Sequence, residues 1–127
     1  MNLALRWAAL GARLGARHWT PFGDLEERYA DPIRAYHTLT HIEECLRAYD
    51  ASGMYDPWLE LALWLHDVIY DPRAQDNEAR SAELARRWIL EADLTPQAAD
   101  AVAAAVLATQ HRRAPDDGRE ALIQDID

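Results

Sequence analysis

Cysteine is almost absent: Cys45 is the single one. That excludes a disulfide framework and a metal cluster built from cysteines, and it fits a reduced, cytoplasmic setting. No stretch reaches the roughly 18 apolar residues of a membrane-spanning helix. The opening segment, Met1 to Leu10, is amphipathic and interrupted by Arg6, unlike the unbroken apolar region of a signal peptide. Basic residues are in deficit, 13 against 22 acidic ones, for a formal net charge of −9. Such a surface argues against a nucleic-acid polymer as partner. It leaves room for a small phosphorylated substrate, because a bound metal can supply positive charge locally. Strand-like alternation, internal repeats and low-complexity linkers are missing too.

What is present is helix. Half of the 127 residues are hydrophobic, enough for one core and one domain. Leu3, Trp7, Leu10 and Leu14 recur at helical spacing and predict a first helix over 2–17, with Arg6, Arg13 and Arg17 mostly on the other side. Gly11 and Gly15 within it allow close packing. Asp24 caps a short helix through Tyr29, stopped by Asp31-Pro32. Asp56-Pro57 opens a helix that runs to about Tyr70, where Asp71-Pro72 ends it. Asp76 or Asn77 caps the next, to about Ala92. Thr95-Pro96 opens an alanine-rich helix reaching about Arg112, and a last segment runs from Arg119. The expectation is an all-α single domain of six or seven helices, its five tryptophans serving the core.

One helix stands out. Leu61-Ala62-Leu63-Trp64-Leu65-His66-Asp67-Val68-Ile69-Tyr70-Asp71 is apolar nearly all round, as a helix inside a core would be. A buried imidazole beside a buried carboxylate is costly unless paired. A divalent ion would satisfy both, and imidazole with carboxylate suits manganese, iron, zinc or magnesium. A core histidine bonded to a carbonyl, with an aspartate paired to an arginine, is the equal alternative on these two residues alone. His37 and His41 add a second pair. Thr40 with Glu43 has the capping-box pattern. If Thr40 is the cap, His41 opens the helix and His37 lies outside. If the helix begins earlier, both histidines share a face at i, i+4, a spacing that can hold one metal.

Tyr36 to Ile42 reads Tyr-His-x-x-x-His-Ile, and His66 to Asp71 reads His-Asp-x-x-Tyr-Asp. Asn77-Glu78-x-x-Ser81-Ala82, Thr109-Gln110-His111 and Asp125-Ile126-Asp127 follow. In this order the segments resemble the HD superfamily of metal-dependent phosphohydrolases, in particular a bacterial branch described only as predicted HD phosphohydrolases. The resemblance spans about residues 36–127. It implies an HD-type bundle over 1–127, with the N-terminal helix preceding an HD core of about 24–127.

The resemblance further implies that His41, His66, Asp67 and Asp127 hold one divalent ion, with Asp125 as the alternative to Asp127. His37 takes the place of a general acid, although Thr38 stands where the related motif has asparagine. Asp71 takes that of a water-orienting carboxylate. His111 would be a second-metal ligand or a phosphate contact, and one metal is favoured because His111 is the only histidine between Asp67 and the last aspartates. The implied activity is hydrolysis of a nucleotide or another small phosphate ester by metal-activated water. The alternative is a catalytically inactive HD fold that senses a ligand or binds a partner. HD domains continue past the last aspartate, so an ending at Asp127 implies a bundle truncated at its C-terminus.

Overall fold

The computed structural model describes residues 1–110 and 118–126, and only the backbone of residues 119 and 120. Seven α-helices and no strand occur among them: α1 Leu3–Leu14, α2 Phe22–Tyr29, α3 Leu39–Ala51, α4 Pro57–Leu65, α5 Asn77–Glu91, α6 Pro96–Ala108 and α7 Gly118–Ile126. None is long and apolar enough to cross a membrane.

The start signals of two helices act as the sequence implies. Asp56 accepts from the amides of Trp58 and Leu59 ahead of Pro57, and Thr95 accepts from Ala98 N ahead of Pro96. α4 is the axis of the domain. Every residue from Leu59 to Leu65 is buried, and α1, α3, α5, α6 and α7 all pack on it. The alanines of α6 let it lie close against both α4 and α5. Trp7 and Trp64 are fully buried, and Trp19 stacks on Trp7 at 4.5 Å. Gly11 makes that stack possible, because a Cβ there would meet the Trp19 indole at 2.6 Å. Gly15 acts through its backbone instead. At φ 73° it is the left-handed cap that ends α1 at Leu14, short of residue 17.

The buried charge on α4 is Glu60, 1% exposed. Arg6 reaches it with Nε at 3.3 Å while gripping Asp50 with both terminal nitrogens at 2.8 Å. Trp64 Nε1 donates to the same carboxylate. Arg6 thus faces inward, joining α1, α3 and α4, rather than lying on the solvent side of α1.

Several boundaries depart from the sequence reading: α2 begins at Phe22 behind Pro21, which leaves Asp24 in its first turn rather than at its cap, α6 ends at Ala108 instead of about Arg112, and two further shifts shape the site. α3 begins at Leu39 with Thr38 as its cap, although the Thr38 side chain makes no capping bond. Leu39 packs against the core, which draws the helix start ahead of the Thr40 pattern. His41 then lies in the first turn and His37 outside the helix. α4 ends at Leu65, with His66 as its cap, instead of continuing to Tyr70. Side chains from elsewhere take over the backbone beyond it. Arg34 donates to the carbonyls of Asp67 and Val68 at 2.7 and 3.0 Å. Ser81 Oγ accepts from Ile69 N and donates to Ile69 O. Asn77 accepts from Asp71 N and donates to Asp71 O. These bonds replace the i to i−4 ladder and hold residues 67–71 as a shaped loop. The Asn-Glu-x-x-Ser-Ala segment is therefore a structural clamp on the loop that carries the His-Asp pair.

Ser81 is fully buried, so Ser81→Ala would strand both Ile69 groups. The expected cost is about 1–3 kcal/mol in urea unfolding, with far-ultraviolet circular dichroism unchanged.

Candidate metal centre

Three imidazoles converge on one carboxylate. Asp67 Oδ2 lies 3.0 Å from His37 Nδ1, 3.3 Å from His66 Nε2 and 3.7 Å from His41 Nε2. The His41 and His66 rings stand 5.4 Å apart. His66, at the end of α4, is 2% exposed. His41 comes from the first turn of α3 and is partly buried. His37, just before α3, stacks on Tyr70 at 4.3 Å and is the most open of the three, its side chain 38% exposed.

The backbone fixes the hydrogen positions. His66 Nδ1 lies 2.7 Å from the Leu63 carbonyl. A carbonyl only accepts, so Nδ1 carries the hydrogen of a neutral ring and Nε2 carries its lone pair. His66 Nε2 lies 3.3 Å from Asp67 Oδ2, and the His41 ring stands beside it. Two electron-rich atoms at 3.3 Å in a buried site require a cation between or beside them, either a proton or a metal ion. A metal-ligating histidine commonly donates its other N–H to a backbone carbonyl, which sets the tautomer and aims the ring. Leu63 O supplies that partner here, so the residues present fit a divalent ion at His41, His66 and Asp67.

Comparisons with protein-family models, with curated proteins and with solved structures find no match.

The electrostatics of Asp67 agree with a charge-holding site. With a proton on His66 Nε2 as that cation, burial pushes the carboxyl up, but hydrogen bonding and charge from His66, and then from His37, outweigh burial and hold it at about 2. Arg34 braces the centre from below. It is 9% exposed and donates to the carbonyls of His37, Asp67 and Val68. It also lies 4.8 Å from the Tyr29 ring and 5.6 Å from the Tyr70 ring. Burial pulls its guanidinium below the usual arginine value. One side chain thus fastens the His37 loop to the Asp67 turn, and nothing in its sequence neighbourhood marks it out.

The remaining expected residues are placed less centrally. Asp71 follows in the loop with its side chain 42% exposed, and its Oδ1 accepts from Arg73 N at 3.0 Å. Asp125 is exposed on α7. It stands about 200° around the helix from buried Ile123, two residues earlier. α7 itself packs on α3, α4 and α6, where Gln124 donates to Ala108 O. Asp127 and His111 lie outside the described residues. One neighbour was not anticipated as part of the site. Cys45, one turn after His41 on α3, has its sulfur 3.6 Å from His41 Nε2. His41, Cys45 and His66 offer ligand atoms that all lie within 4.8 Å of one another. The i, i+4 pair on α3 is His41 with Cys45, whereas His37 with His41 is not a helical pair. A histidine followed four residues later by the lone cysteine was the signal available.

A carboxyl held down in the fold stabilises it above its unfolded value and loses that contribution as pH falls toward the folded one. For Asp67 the window runs from about pH 4 to about pH 2, and the contribution is on the order of 2 kcal/mol. Urea unfolding of metal-free protein should weaken across that window, and Asp67→Asn should remove that part of the slope.

Proposed function

We propose that the chain is a metal-dependent phosphohydrolase acting on a nucleotide or another small phosphate ester. The observation that carries the reading is the fixed His66 ring, its Nδ1 held by Leu63 O and its Nε2 3.3 Å from Asp67 Oδ2. The resemblance of the His41, His66-Asp67 and terminal aspartate segments to HD phosphohydrolases supplies the reaction class.

In this proposal His41, His66 and Asp67 hold one divalent ion, with Asp127, or alternatively Asp125, as the further ligand. The ion would supply Lewis acidity toward a phosphoryl oxygen and bring the pKa of a water toward neutrality. The protein residues do the rest. Asp67 accepts from His37 Nδ1 and orients that ring. Nε2 is then the His37 atom that gains and gives up a proton. Partial exposure and stacking on Tyr70 place His37 at the rim, where it can deliver that proton to a leaving oxygen. Asp71, in the clamped loop four residues after Asp67, is the rim carboxylate assigned to orient water. Arg34 keeps the His37 and Asp67 segments in register.

The test is element-resolved metal analysis of the purified protein, followed by a phosphate-ester panel assayed with the metal found and with manganese. Hydrolysis should fall at least about 100-fold in His66→Ala and Asp67→Ala, with loss of metal. In His37→Ala it should fall by about 100-fold or more with metal retained. Activity unchanged in the first two variants defeats the proposal, and a non-catalytic ligand-sensing module would then account for the site.

A further inference from the structure

Among the described residues, Cys45 is the one nucleophilic, metal-ligating side chain beside the centre that the phosphohydrolase reading does not use. We propose that its thiolate is a ligand of the same ion as His41 and His66, so that the site selects a thiophilic divalent metal, zinc above all. This rests on the metal reading above and goes beyond it by naming a ligand and the class of metal.

Three observations support it. First, the separations fit. Zinc held tetrahedrally at about 2.3 Å from sulfur and about 2.0 Å from imidazole nitrogen sets the S···N edge at about 3.5 Å and an N···O edge at about 3.3 Å. Cys45 Sγ lies 3.6 Å from His41 Nε2, and His66 Nε2 lies 3.3 Å from Asp67 Oδ2. The ligand atoms of His41, Cys45 and His66 lie within 4.8 Å of one another, so the remaining closure is on the order of 1 Å. Second, the scaffold is rigid. His41 and Cys45 stand one turn apart on α3, where side chains four residues apart are neighbours. Third, Cys45 is 2% exposed and on the core side of α3. A sulfur there meets the ion rather than solvent.

Soft thiolate favours zinc over manganese or magnesium, which prefer carboxylate and water. Coordination requires the Cys45 thiol to give its proton to solvent as the sulfur–metal bond forms, so uptake releases a proton and no redox partner is involved.

The experiment uses the whole chain stripped of metal and reloaded. With cobalt(II), a thiolate-to-cobalt charge-transfer band should appear in the near ultraviolet and vanish in Cys45→Ser. Zinc affinity of that variant should drop by at least about 10-fold, the loss usual for removing even an outer-sphere partner. Zinc-edge X-ray absorption of the unmutated protein needs no variant to fold, and should show a sulfur at about 2.3 Å. A zinc shell of nitrogen and oxygen alone, or a cobalt band that persists in Cys45→Ser, overturns the cysteine ligand and leaves the metal site standing. Failure to take up either metal overturns both.

Discussion

A carboxylate facing the lone pair of a buried imidazole is an arrangement that cannot stand without positive charge. Asp67 and His66 are held in that relation by the backbone: Leu63 O fixes the proton on the far side of the His66 ring, and Arg34 fixes the Asp67 carbonyl. His66 cannot turn away without breaking a buried hydrogen bond, nor Asp67 without losing its bond to His37 Nδ1. His37 and His41 complete the surround, so the site gathers three imidazoles around one negative charge.

The rest of the fold serves this arrangement. α4 carries His66 at its end and lies in the middle of the bundle, so the position of His66 is set by packing on five neighbouring helices. Asp67 leaves the helix at once. A continuous helix would have directed adjacent side chains about 100° apart. The clamps from Arg34, Ser81 and Asn77 instead shape a loop that brings Asp67 back toward His37 and His41. Their cost is small, because each exchanges one buried hydrogen bond for another. The Arg6–Glu60–Asp50 network, away from this centre, ties the first helix to the same axis.

Much of the architecture was legible in the residues. Asp56-Pro57 and Thr95-Pro96 announce helix starts by local chemistry alone, and the unbroken apolar run of α4 announces burial. His66 and Asp67 were legible as a pair because buried polar residues in such a run need a reason, and His41 joined them through the resemblance. What was not legible depends on partners distant in sequence. The end of α4 is decided by Arg34, far earlier in the chain, and by Asn77 and Ser81 on the next helix. Thr40-x-x-Glu43 is a sound local signal overridden by the packing of Leu39 against the core. Cys45 was passed over because a single cysteine says nothing until its neighbours in space are known.

Nitrogen-15 NMR of the His66 ring during zinc addition to metal-free protein decides whether the cation between His66 and Asp67 is a metal ion. A metal ion there leaves an Nδ1-protonated ring whose Nε2 resonance shifts on binding one equivalent, while Nδ1 keeps its hydrogen. A His66 that ignores zinc and titrates like a solvent-exposed histidine, at about pH 6.5, would contradict it.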